Sequence, residues 1–156
     1  MQPEPVPVPL VEKPDLWAMF QLYGAELAPH AIVKPVNGIL PYSPFDLYWQ
    51  EDKRWPFWAM IDGQRVGFAL VRFAPEHNAM QMAEFYILPD QRRGGTGLAF
   101  ARSLLTRFPG PWKMREIVTN KGAVAFWRRV VEPYGFSEES YTDKGIARIE
   151  QTLMVG

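Results

Sequence analysis

The chain has no cysteine in its 156 residues. That excludes disulfides, thiolate metal sites and a cysteine nucleophile, and it fits an intracellular protein, with the cytoplasm as the expected compartment. Histidine is nearly absent as well. With only His30 and His77 a multi-histidine centre is not expected, and no metal is assigned. There is no excess of either charge: 17 Lys and Arg balance 17 Asp and Glu, which argues against nucleic acid or an anionic membrane as the main partner. No apolar run is long enough to span a bilayer, and the Pro-rich start lacks the basic and apolar segments of a signal peptide. What is abundant is hydrophobic residues, 47% of the chain, enough for a single domain over residues 1–156 with a real core.

Residues 1–12 read in two ways. Pro5, Pro7 and Pro9 recur at period two and strip N–H donors from one strand edge only, leaving Val6, Val8 and Leu10 to pair on the other. The segment is therefore an edge strand or a flexible polyproline-like tail. Pro14 opens a helical pattern carried by Leu16, Met19, Phe20, Tyr23 and Leu27. Residues 29–44 are rich in Pro and Gly and read as irregular. Two apolar runs around Asp62-Gly63 predict a hairpin, and "MQMAEFYIL" a third strand stopped by Pro89. Residues 95–108 form a helix with Leu98, Ala101, Leu105 and Phe108 on one stripe. "REIVT" is a strand, residues 123–131 a helix, and "GIARIEQTLMV" the last strand. This order predicts an α+β fold with a mixed, mostly antiparallel sheet flanked by helices.

The informative loop is "QRRGGTG", Gln91 to Gly97, between a strand and a helix. It contains no P-loop, and a G-x-G-x-x-G pattern fails at Phe100. The first turn of a helix nonetheless offers unpaired N–H groups and partial positive charge, and glycines let a phosphate approach the backbone. The N–H groups of Arg93, Gly94, Gly95, Thr96, Gly97 and Leu98 can converge on a pyrophosphate, with Arg92 and Arg93 adding charge. A glycine-rich connection with solvated arginines is the plainer alternative.

The stretch Arg92-Arg93-Gly94-Gly95-Thr96-Gly97 resembles the acetyl-CoA loop, [Q/R]-x-x-G-x-[G/A], of the GNAT superfamily of N-acetyltransferases. Downstream, Asn120, Ala123, Phe126, Gly135 and Phe136 of "TNKGAVAFWRRVVEPYGF" match that family's second motif. The resemblance implies acetyl-CoA as cosubstrate. Main-chain contacts to its pantetheine arm are expected from Phe85, Tyr86, Ile87 and Leu88, and further contacts from Asn120, Phe126 and Trp127. It also implies direct attack of an amine on the thioester, with a small-molecule or peptide amine as acceptor; family members often dimerise. The family's usual acid is a tyrosine in the second motif, where this chain has Trp127, a donor that cannot supply a proton. Tyr134 is the replacement acid nearest in sequence, and Tyr86 a further candidate on the strand. Glu84, a carboxylate in an apolar strand, is the expected base; alternation groups it with Met82, Tyr86 and Leu88. His30 is a second choice. Glu76 and His77 fall in a turn and are expected to be solvated. The acceptor side is expected between Pro29 and Trp55, where Tyr42, Phe45, Tyr48, Trp49 and Trp55 concentrate, although aromatics so placed also serve as core. The Trp127 substitution leaves a non-catalytic acyl-CoA-binding module as the alternative.

Overall fold

The structure, a computed structural model, describes residues 2–156. Seven strands form one sheet: β1 (Glu4–Pro7), β2 (Arg54–Ile61), β3 (Gln64–Ala74), β4 (Ala79–Ile87), β5 (Gly110–Ile117), β6 (Phe136–Asp143) and β7 (Ile146–Val155). Their spatial order is β1-β2-β3-β4-β5-β7-β6, antiparallel throughout except for the central β4–β5 pair. Three helices flank it: α1 (Lys13–Ala31), α2 (Thr96–Arg107) and α3 (Lys121–Val131). No helix among the described residues is long and apolar enough to cross a membrane.

The Pro-rich start is the edge strand. Val6 lies opposite Trp58, and the Val8 N–H donates to the Pro56 carbonyl at 2.9 Å. Pro5 and Pro7 therefore turn their donor-less nitrogens to the free edge, which discourages pairing with another chain. Asp62 and Gly63 both have positive φ, 51° and 76°, as the two-residue hairpin turn requires.

Each face of the sheet has its own core. Leu16 and Phe20 of α1 pack with Phe45, Tyr48, Trp58, Phe68, Leu70 and Tyr86 on one side. On the other, Phe100, Leu104 and Leu105 of α2 and Trp127, Val130 and Val131 of α3 cover Phe57, Val71, Trp112 and Met114. The long loop after α1 is thus tied down by aromatics that are mostly core. Phe45 and Tyr48 are buried, Trp49 donates its indole N–H to the Val8 carbonyl at 2.9 Å, and Trp55 packs at a tilt against Phe108 on the opposite face. Of the five aromatics concentrated between Tyr42 and Trp55, Tyr42 and Tyr48 are the two whose hydroxyls come near the Glu84 carboxylate.

Three boundaries differ from the sequence reading. α1 continues through Pro29 to Ala31, because a proline in the last turn breaks few bonds. β5 begins at Gly110 rather than at Arg115, with Trp112 and Met114 buried. β6 is a strand the apolar pattern does not announce. It is the outer edge, nearly all its residues are exposed, and no face of it needs to be hydrophobic.

Candidate active site

The parallel pair β4–β5 is joined only at its start, Met80 opposite Trp112 and Gln81 opposite Lys113. Past that point the strands splay, and residues 82–87 of β4 have no partner on that side. A bulge helps. Leu70 of β3 faces Glu84 and Val71 faces Met82, so Ala83 is an extra residue. The bulge also reverses the alternation of β4. Met80 and Met82 belong to the α2/α3 core, but so do Phe85 and Ile87. Glu84 and Tyr86 point to the α1 side, so Met82 is not on the face of Glu84, contrary to simple alternation.

Which backbone groups face the gap follows from the ladder. The Leu88 N–H donates to the Val66 carbonyl at 2.9 Å, so Leu88, and Tyr86 two residues earlier, turn their polar groups toward β3. Phe85 and Ile87 turn theirs into the gap. Of the four expected backbone contacts, two are thus directed at the cleft, while Tyr86 and Leu88 face away. The Ile87 carbonyl already accepts from Arg92 Nε at 2.8 Å.

At the gap's open end the glycine loop enters α2. Arg93 and Gly95 both have positive φ, 71° and 82°. The first bond closing the helix is Ala99 N–H to the Gly95 carbonyl, at 3.0 Å. The six consecutive N–H groups from Arg93 to Leu98 have no acceptor among the described residues, and Gly95 supplies no side-chain cap. A Cβ placed on Gly94 or Gly95 would meet nothing within 4 Å, so the cradle is open to a ligand. Gly97 differs: a Cβ there would come within 3.2 Å of Phe126, so its smallness serves packing of α2 on α3. This arrangement fits a pyrophosphate.

The side chain of Arg92 turns away from the cradle. Its two terminal nitrogens bind both carboxylate oxygens of Glu26 on α1, at 2.8 and 3.0 Å, and its guanidinium lies 5.4 Å from the Tyr86 ring centre. Arg93 has no ion pair or side-chain hydrogen bond among the described residues, which leaves its charge available to a phosphate.

Below the gap, Phe85, Phe126 and Trp127 form an aromatic block with ring centres 5.0–5.5 Å apart. Trp127 is 8% exposed and belongs to the core, so its place in the second motif is used for packing. Asn120 caps α3, its side-chain oxygen accepting from Ala123 N–H at 3.3 Å. Asn120→Ala is expected to lower stability by about 1 kcal/mol and to leave CoA affinity within threefold. A urea titration and a calorimetric titration check the two halves, and a large affinity loss at unchanged stability would assign Asn120 to the ligand instead.

Glu84 is the focus of the α1 side. Tyr23 Oη donates to its Oε1 at 2.6 Å. Burial pushes the Glu84 carboxyl up to about 7, opposed by the Tyr23 and Tyr42 hydroxyls and the charge of Arg148. Burial and the Glu84 carboxylate raise Tyr23 and Tyr42, and burial pushes Tyr48 up to about 12. A carboxylate that titrates near neutrality can take a proton and give it up again. Tyr23 was legible only as a member of the α1 apolar stripe. The signal that it has a polar duty is a hydroxyl at a position facing a buried carboxylate, which appears only in three dimensions.

Tyr134 is not brought to this centre. It lies beyond the C-terminal end of α3, against the α2/α3 core, beside the part of β7 that pairs with the closed end of β5. Glu84 is on the opposite face, so the two residues expected as base and acid do not meet. His30 bonds to Thr119 Oγ1 at 2.9 Å, linking the end of α1 to the loop after β5. Glu76 pairs with Arg72 at 3.1 Å and His77 contacts Arg115 at 2.6 Å; both are exposed. Another carboxylate, the buried Glu116, 4% exposed, accepts from Gln151 at 2.8 Å and is pushed up to about 7 by burial, but it lies on the α3 side.

A splayed parallel pair, an anion cradle at its open end and a neutral-range carboxylate on the far face define a class of protein suited to hold a diphosphate-bearing cosubstrate along a sheet gap. The sequence profile described as "Acetyltransferase (GNAT) family" matches residues 18–131. The chain belongs to this family and is an acetyl-CoA-dependent N-acetyltransferase. Comparison with curated proteins gives no match. Among solved structures, an acetyltransferase from Thermus thermophilus is similar at a TM-score of 0.74 and 16% identity, covering 99% of this chain and 98% of that one. A spermidine N-acetyltransferase from Vibrio cholerae, in complex with CoA and spermine, is similar at 0.67 and 14%, covering 99% and 96%. A ribosomal-protein-alanine N-acetyltransferase from Brucella melitensis is similar at 0.65 and 15%, covering 97% and 99%. At these identities the likeness is one of fold.

Proposed function

We propose that residues 1–156 act as one catalytic domain that moves the acetyl group of acetyl-CoA to a primary amine by direct attack, with Glu84 as the base. The observation that carries this reading is the run of six unpartnered N–H groups, Arg93 to Leu98, at the open end of the β4–β5 gap. They suit the pyrophosphate, with Arg93 as its side-chain partner, while the main-chain groups of Phe85 and the N–H of Ile87 suit the pantetheine arm. The thioester then lies along β4, and an amine approaching from the α1 side meets Glu84. A thiol is a good enough leaving group to depart without a protein acid, so the burial of Trp127 does not stop the reaction. The solved structures named above act on spermidine and on a ribosomal protein, so both small-molecule and peptide amines are supported as acceptor classes. The missing cysteines support a cytoplasmic site for the reaction.

The test is amine-dependent release of free CoA from acetyl-CoA, across polyamines, amino acids and short peptides with free N-termini. Turnover with at least one amine, well above hydrolysis, is the expected result. Binding of acetyl-CoA with no amine-stimulated release across the panel would sink the direct-transfer reading.

A further inference from the structure

Glu84 is poorly placed to meet an amine itself. Its Oε1 is covered by Tyr23 Oη at 2.6 Å, and every element around it presents a group of its own. Tyr23 comes from α1, Tyr42 and Tyr48 from the loop that follows, and the charge of Arg148 reaches it from β7. A carboxylate oxygen capped in this way exchanges its proton through the capping group, which must both hold a proton and be able to receive one. Phenol does both. The Tyr23 ring is fixed by edge contacts with Phe20 at 5.5 Å and Phe68 at 5.6 Å, and it lies 5.8 Å from Tyr86, so its hydroxyl is held on the carboxylate. The remaining hydroxyls are less suited. Tyr48 is buried, and its Oη has no hydrogen-bond partner among the described residues. The Tyr42 ring stacks on Phe20 at 4.8 Å, and its hydroxyl makes no hydrogen bond to Glu84 of the length Tyr23 makes.

We propose that Tyr23 is a relay residue through which Glu84 takes the proton of the acceptor ammonium. This rests on the reading of Glu84 as the base. Tyr23 gives its hydroxyl proton to Glu84 Oε1 as its oxygen receives one from the ammonium, so the phenol ends neutral and the amine is freed. The nitrogen lone pair then forms the C–N bond, the C–S bond breaks, and the sulfur leaves with the bonding pair. The second nitrogen proton goes to that thiolate, and Glu84 passes the first to solvent. The sum is one amide, one thiol and one proton released.

Tyr23→Phe keeps the ring packing and removes only the relay. Its kcat is expected to fall roughly 10²-fold with the acetyl-CoA KM within twofold. The acidic limb of the rate profile should move to higher pH, because a bond that favours the charged carboxylate is lost. Carbon-13 titration of the Glu84 carboxyl should show the same upward move without any turnover. Wild-type kcat in Tyr23→Phe, or a slower rate with limb and carboxyl titration both unmoved, would overturn the relay. If Tyr23→Phe does not fold, the proton inventory of the wild-type enzyme in mixed light and heavy water decides. A bowed plot, two protons moving together, supports the relay, and a straight one overturns it. Glu84→Gln in the same assay separates the two readings. Full activity there removes Glu84 as base, whereas an inactive Glu84→Gln beside a fully active Tyr23→Phe removes the relay alone.

Discussion

Gly95→Val is expected to abolish acetyl-CoA binding, with at least a 100-fold rise in Kd by calorimetric titration, while the protein stays folded. Gly95 has a φ of 82°, and a β-branched residue strongly resists that region. The chain has two responses. If valine is forced to keep the left-handed backbone, the strain costs roughly 1–3 kcal/mol and the side chain rises from a position that now faces open space. If the backbone relaxes, the N–H groups on either side of residue 95 rotate and no longer converge. Either response destroys the anion cradle, and neither touches the core. Gly97→Val makes a useful contrast, since its side chain would strike Phe126 and loosen α2 against α3, losing stability together with binding. A Gly95→Val protein that melts normally and binds within threefold of wild type would remove the cradle from the binding site.

Glu84→Gln is expected to lower kcat by roughly 10²–10⁴-fold while acetyl-CoA affinity changes little. Glutamine keeps the shape and can still accept from Tyr23, but it cannot take the proton. In the wild type, kcat/KM should rise with pH through about 7, where Glu84 loses its proton and becomes competent. The substitution should flatten that limb. The sign for stability runs the other way. The folded pKa of Glu84 lies above its unfolded value of about 4.5, so the folded state holds the proton more tightly. That preference is fully present below the unfolded pKa and is lost as pH rises through about 7. At pH 8 Glu84→Gln should therefore melt at a higher temperature than the wild type, and Glu116→Gln should do so too without a loss of rate. A normal rate in Glu84→Gln, with the acidic limb intact, would transfer the base to another group.

Much of the cradle was legible because glycines and an amphipathic helix leave a local mark. Asp62-Gly63, the proline-spaced edge strand and the α2 and α3 stripes were legible for the same reason. The acceptor side was not. Tyr23 and Glu84 are 61 positions apart and meet only because α1 lies across β4. Nothing in the α1 pattern distinguishes a tyrosine that packs from one that packs and donates. Tyr134 was favoured because it is near the second motif in sequence, but α3 carries it away from Glu84 and leaves it on the other face. Aromatic density is ambiguous between a pocket and a core, and Phe45, Trp49 and Trp55 serve as core. β6 was missed because an exposed outer strand needs no hydrophobic alternation.

The extra residue at Ala83 gives the Glu84 carboxylate an address that depends on counting rather than on chemistry. Many side chains could occupy position 83 without moving Glu84, since the backbone bulge itself sets the phase of everything after it. Deleting Ala83 would remove the bulge and leave Glu84 on its present face, because Met82 and Glu84 would then be consecutive and alternate. Straightening the strand with Ala83 still in place would be another matter. Glu84 would rotate into the oily layer beneath α2 and α3, and Phe85 would come up against Tyr23. The face of the carboxylate is thus set by whether the extra residue is bulged out or threaded into the pleat.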